Sequence, residues 1–289
     1  MVSVADRADV LVRNAYLVTM DSDRRVFQTG ALAIKNGRII AIGPDREIGI
    51  LFNSSKSIDA AGSVVHPGFI DNHNHLCLHN MRWAYPELPD LSNTPDPKAK
   101  SYWDICADEI EYAGSKLASL EMARNGTTCF LEAGTLTTPD AGAKAIEDVG
   151  IRGVLGDSFI FDVHESSVPK IERYPFDPQR AFNTLGSELH RNRDPDALVK
   201  GHVNLRGMAS ASKELELAAV ALAQEHGVVL NQHQSYHPND TNSDDQLRGS
   251  HPLVYLWEIG ALKKNCTFAH MNIIRDDEVN PISESCMSI

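Results

Sequence analysis

The sequence predicts an α/β protein: a parallel (β/α)₈ barrel of the TIM type, incomplete at its C-terminus, with a small all-β portion before it. Three observations predict it. From Val65 onward, short apolar runs alternate with segments of helical periodicity, the pattern of a parallel sheet covered by helices. No GxGxxG follows the first of those runs, so the fingerprint of an open dinucleotide-binding sheet is missing. Histidines close several of the runs, and the C-terminal ends of barrel strands are where such folds carry their chemistry. A chain of 289 residues buries one large core, or a core and an accessory unit, and the division expected is 1–64 and 65–289.

The first portion reads as strands separated by turn residues: DVLVRNAYLVTM, GALAIKNGRIIAIG and SIDAAGSVV. Asn36-Gly37 interrupts the alternation of the second, and this dipeptide suits a two-residue hairpin turn whose central residues both need positive φ. In the second portion the strand candidates are VVHPGFID, TTCFLEAG, IRGVLGD, LVKGHVNLRG, GVVLNQH and CTFAH. Helices are expected between them. One over residues 104–126 ends at Asn125-Gly126; another over 212–227 opens with Ser212 and stops at Gly227, residues suited to an N-cap and a C-cap. A last helix is expected over 276–285, with Met287, Ser288 and Ile289 starting a seventh strand. The stretch RWAYPELPDLSNTPDPKAKSYWD is irregular and proline-rich; loops of this length are commonly functional, which makes Trp83 and Trp103 candidate substrate contacts.

Composition narrows the function. A formal net charge of −12 without a Lys/Arg cluster disfavours nucleic acid as a partner. No apolar run approaches the roughly 20 residues that cross a bilayer, and MVSVADRADV lacks the apolar core of a secretory signal, so a cytoplasmic protein without a membrane partner is expected. Five cysteines without a CxxC pair read as reduced thiols rather than a disulfide scaffold. The partner expected is a small-molecule substrate; a homo-oligomer is compatible with the sequence.

The candidate chemistry is metal binding. His73 and His75 are two apart at the end of an apolar strand, so both side chains point to one side and can share an ion. His233 ends GVVLNQH and His270 ends CTFAH. By alternation Val229, Asn231 and His233 share the inward face, as do Cys266, Phe268 and His270. Four imidazoles converging with an open position suit one divalent ion, zinc or alternatively iron, better than magnesium or calcium. On the fourth strand Lys200, His202, Asn204 and Arg206 share one parity, placing Arg206 at the barrel mouth as a candidate for holding a carboxylate or ring oxygen of a substrate.

The run PGFIDNHNHLCLHNMR (67–82), with GTTCF (126–130), LNQH ending in His233 and TFAH ending in His270, resembles the amidohydrolase superfamily, specifically its mononuclear cytosine-deaminase, guanine-deaminase and triazine-hydrolase branch. The resemblance implies a distorted (β/α)₈ barrel beside a β-sandwich, of which the N-terminal portion forms part. It implies a metal-activated water that hydrolyses a carbon–nitrogen or carbon–halogen bond of a small, cyclic, nitrogen-containing substrate. His73, His75 and His233 are then direct ligands, with His270 a ligand or hydrogen-bonded to the attacking water. Two departures follow. The chain stops at Ile289, before the eighth strand whose aspartate the family uses, so a truncated chain is expected, and a non-catalytic metal-binding remnant competes with the hydrolase reading. The branch's glutamate three residues after the fifth-strand histidine is replaced by Tyr236. Candidate catalytic substitutes are Tyr236 itself, Glu132, Asp157 and His237, the last three being residue types that also cap helices. A binuclear, hydantoinase-like cyclic amide hydrolase is the other alternative, disfavoured because Lys200 stands at the wrong end of its strand to bridge two metals. Asp71 is a candidate to orient a ligand from behind, while His79 and Arg82 also fit a surface pair.

Overall fold

The computed structural model describes residues 6–82, 102–163 and 171–289, which divide into two compact units meeting at Gly68 and Phe69. In the smaller unit Val10–Val18, Val26–Lys35 and Arg38–Pro44 form an antiparallel meander, with Lys56–Asp59 and Val64–Val65 both added parallel to Val10–Val18. The hairpin turns at Asn36 (φ 51°) and Gly37 (φ 71°), the paired left-handed conformation that the Asn-Gly dipeptide favours. Asp45 opens the helix Asp45–Leu51, and the Arg13 guanidinium grips its carboxylate through bonds of 2.7 and 2.6 Å. The pairing of Val65 with Leu17 assigns residues 65–68 to this unit, four residues beyond the boundary expected from the change of rhythm.

The larger unit is a sheet of six parallel strands in chain order: Phe69–Asn74, Thr127–Glu132, Arg152–Gly156, Val199–Gly207, Leu230–Gln234 and Cys266–His270. A seventh begins as expected, since Ser288 bridges Thr267 in parallel. The first strand starts later than VVHPGFID suggests. Pro67 has no N–H to donate, so pairing resumes only at Phe69, whose N–H donates to the Gly126 carbonyl at 2.9 Å.

Helices cover the sheet where the pattern places them. Ser212 caps Lys213–His226 by accepting from the Leu215 N–H at 3.2 Å, and Gly227 ends it at φ 63°. Leu215, Ala219 and Val220 of this helix pack on Val203, Leu205, Leu230, Cys266 and Phe268 in the principal core. A second core joins Ala118 and Met122 of Asp108–Arg124 to Phe130, Ile146 and Leu155. These residues face the helices. His202, Asn204, Asn231 and His233 alternate with them and face the other side of the sheet, all nearly inaccessible. No helix among the described residues is long and apolar enough to cross a membrane.

Candidate metal centre

Four histidines meet at the C-terminal ends of the strands, each delivered differently. His73 lies within the first strand, and His75 follows it at the start of the 3₁₀ turn Leu76–Met81. His233 comes from the inward face of the fifth strand. His270 does not follow the parity expected of it: Cys266 and Phe268 belong to the core under the helices, so alternation alone would send His270 there. The backbone turns instead. A φ of 79° at His270 and 47° at Met271 takes the chain into the left-handed region and swings the ring back.

The rings of His75, His233 and His270 lie with centroids 4.7, 4.9 and 4.9 Å from that of His73. Ligand atoms of His73, His233 and His270 fall within 4.8 Å of one another. Nε2 of His75 and Nε2 of His233 are 3.2 Å apart. Their other nitrogens are engaged. His75 Nδ1 is 3.0 Å from Thr135 Oγ1, whose hydroxyl donates to Glu132 Oε1 at 2.7 Å. His233 Nδ1 donates to the Arg206 carbonyl at 3.2 Å. Both Nε2 atoms therefore present lone pairs to each other, a repulsive contact between neutral rings that a shared cation turns favourable. Tetrahedral ligands about 2.05 Å from zinc stand roughly 3.3 Å apart, close to this spacing. His73 Nδ1 is buried with no hydrogen-bond partner among the described residues. The residues present fit a divalent ion.

The electrostatics agree. Burial, then the neighbouring imidazoles, lowers His75 to about 3 and His233 to about 2. His73 is lowered by burial and by His270, and His270 by burial. All four are neutral near pH 7, the state in which imidazole ligates. Beside His75 and His233 opens a cavity of about 170 Å³ walled by Trp103, Phe159, Phe161 and Met208, with Arg206 and Thr135 supplying polar atoms.

A family model described as Amidohydrolase family matches residues 64–289. The chain belongs to the amidohydrolase family. A 5-methylthioadenosine/S-adenosylhomocysteine deaminase of Nitratidesulfovibrio vulgaris is 27% identical over 277 residues, covering 96% of this chain and 60% of the relative. A 5'-deoxyadenosine deaminase of Methanosphaera stadtmanae is 30% identical over 239 residues, covering 82% and 53%. The chain thus spans about 60% of the length of the first of these curated relatives. Among solved structures, a zinc-bound adenosine deaminase from Xanthomonas campestris superposes with a TM-score of 0.80 at 20% identity, over 98% of this chain and 62% of that one. An atrazine chlorohydrolase from Arthrobacter aurescens, complexed with zinc, gives 0.76 at 20% identity over 96% and 64%. These are the deaminase and triazine-hydrolase kinds that the PGFIDNHNHLCLHNMR motif resembles, and they share the barrel fold.

Around the amidohydrolase cluster the other expected residues separate. Arg206 and Trp103 line the cavity; Trp83 lies outside the described residues, as does most of the irregular stretch. Tyr236 is 56% exposed and lays its ring 4.7 Å from that of His270, at the rim. Glu132, expected as a substitute acid, is not open to a substrate: it is fully buried and accepts from the Gly134 N–H (2.8 Å), the Thr135 N–H (3.1 Å) and the Thr135 hydroxyl. Asp157 caps the turn Ser187–Arg193, accepting from the Gly186 and Glu188 N–H groups at 2.7 and 3.2 Å. His237 caps the helix Pro238–Arg248, where its Nδ1 accepts from the Asn239 N–H. Both are structural here. Asp71 accepts from the His73 backbone N–H at 3.1 Å and from Asn74, so it steadies the strand end and does not reach the imidazole. Arg82 forms a bidentate pair with Glu121 at 2.5 and 2.6 Å, with His79 Nε2 3.9 Å from the same carboxylate. Lys200 bonds the Asp194 carbonyl and lines a different cavity from that of His75 and His233.

Two contributors escaped the sequence reading. Thr135 holds His75, and only the turn Ala133-Gly134 brings it there. The second is a β-bulge: the fourth strand pairs Leu205 with Gln232 and Gly207 with His233, leaving Arg206 as the extra residue. Gly207 makes the bulge with a φ of 77°, and a side chain there would fall on the His233 carbonyl.

Proposed function

We propose that the protein is a metal-dependent hydrolase that cleaves a carbon–nitrogen or carbon–halogen bond of a small, cyclic, nitrogen-containing substrate, using one divalent ion, zinc rather than iron. The observation that carries the reading is the 3.2 Å approach of two Nε2 lone pairs at His75 and His233, with His73 and His270 beside them. His73, His75 and His233 hold the ion, and His270 borders the open position. A divalent ion there supplies Lewis acidity, lowering the pKa of water and polarising the electrophile.

The chain's own residues do the rest. The substrate ring lies in the cavity against Trp103 and Phe159, with Arg206 at its polar edge. The neutral imidazole of His270 takes a proton from the attacking water as oxygen bonds to the ring carbon. An amino group receives that proton and leaves as ammonia or an amine as its bond to the ring carbon breaks; a halide leaves as the anion, and the proton is released to solvent. Tyr236, against His270, shields this transfer from one side. The deaminase and chlorohydrolase relatives support the reaction class, and their zinc-bound structures support the choice of metal.

Metal analysis separates the roles. His73→Ala and His233→Ala variants are expected to lose the single equivalent of zinc. His270→Ala is expected to keep it while hydrolysis of amino- and chloro-substituted pyrimidines, purines and triazines falls about 10²- to 10⁴-fold. Stoichiometric zinc in both His73→Ala and His233→Ala would remove the site.

A further inference from the structure

Glu132 and Thr135 stand behind the cluster, joined to His75 by a chain of hydrogen bonds. A threonine hydroxyl has one proton and two lone pairs. The geometry directs the proton at Glu132: Thr135 Oγ1 stands 2.7 Å from Glu132 Oε1, and the same carboxyl gathers the Gly134 and Thr135 N–H groups. The lone pairs are left for donors. Cys77 directs its thiol at one, at 3.4 Å, and His75 Nδ1 stands 3.0 Å from the oxygen. A hydroxyl that donates to Glu132 leaves the proton of the His75–Thr135 bond to His75 Nδ1.

We propose that Thr135 is a positioning residue for the metal centre. With its only proton given to Glu132, it accepts the Nδ1 proton of His75 and thereby fixes the tautomer and ring orientation that present Nε2 to the ion. The local chain is arranged for this. Gly134 adopts a φ of 71°, and a Cβ there would strike the Asn204 side chain and the Asp157 carbonyl, so the turn that returns Thr135 beneath His75 requires glycine. Glu132 ends the second strand, paired in register with Asn74, which lies between His73 and His75. The strand that flanks the ligands thus supplies the acceptor that orients one of them. His233 reaches the same tautomer through the Arg206 carbonyl, so the ligands whose Nε2 atoms meet are each held by an oxygen at Nδ1. The turn 132–135 would also close without a hydroxyl, since the two N–H bonds to Glu132 do not involve it. The hydroxyl is the part that reaches the ligand.

The inference rests on the metal-centre reading, and its test has a readout that does not. Thr135→Val keeps the shape and removes the hydroxyl; Thr135→Ser restores it. Zinc affinity, read by competition with a chromophoric chelator, is expected to fall about 10- to 100-fold in Thr135→Val and to return to within a few-fold of wild type in Thr135→Ser. In the metal-free protein the ¹⁵N shifts of the His75 ring are expected to report the Nδ1–H tautomer in wild type and Thr135→Ser, and a mixture in Thr135→Val. Wild-type affinity and an unchanged tautomer in Thr135→Val would overturn the proposal, as would a serine variant that restores neither. A wild-type protein that takes up no zinc contradicts the metal-centre reading, while the tautomer measurement still decides the role of Thr135.

Discussion

His75 and His233 offer Nε2 because Nδ1 is occupied in each, by a hydroxyl in one case and a backbone carbonyl in the other. The identity of the four histidines was legible in the sequence, since an HxH pair and two further strand-end imidazoles are types that a barrel mouth uses for metal. Their second partners were not, because a threonine three residues past a strand has no periodicity to mark it. Glu132 shows the limit: its place at a strand end suggested a catalytic acid, and full burial under three donors makes it an acceptor instead. Glu216 is a second buried carboxyl, pushed up to about 7 by burial, with Gln232 Nε2 3.3 Å away beside the His233 strand. A raised carboxyl pKa favours the protonated folded form. Its contribution is full below the ordinary value of 4.5 and is lost as pH rises through about 7. Glu216→Gln is therefore expected to gain stability over wild type as pH rises from about 5 to about 8, by roughly 1 to 3 kcal/mol. Urea midpoints at the two pH values check it; a constant difference contradicts it.

At the scale of elements, the strand order, the Asn36-Gly37 hairpin and the Ser212-capped helix were all readable, because alternation, turn chemistry and caps are local signals. Two irregularities were not. The bulge at Arg206 and the left-handed backbone at His270 both break the alternation on which strand reading depends, and both lie where side chains enter the site. Parity places Arg206 on the side of His202 and Asn204, and the bulge falls at Arg206, which lines the cavity. Parity gave the wrong inward set for the sixth strand. Gly207→Ala tests the bulge: the added carbon meets the His233 carbonyl, and φ of 77° strains any side chain. The expected result is a loss of roughly 2 kcal/mol or more, with weakened zinc binding, in thermal melts with and without the metal. An unchanged melting temperature and unchanged zinc affinity would show that the bulge relaxes freely.

Over the whole molecule, one chain carries a β unit and six parallel strands whose C-terminal ends hold the cluster. The alternation of apolar runs with helix-period segments predicted that architecture, because layered packing is set by average patterning. The site is more demanding. It needs His73 and His75 from one strand, His233 from the fifth, His270 from the sixth and Thr135 from the loop after the second, so it forms only when distant segments of the larger unit have folded together. X-ray absorption at the zinc edge of the loaded, unmodified chain tests this most directly. One zinc per chain is expected, with nitrogen and oxygen scatterers near 2.0 to 2.1 Å and the outer-shell signature of at least three imidazoles. Sulfur at about 2.3 Å, or fewer than two imidazoles, would contradict it.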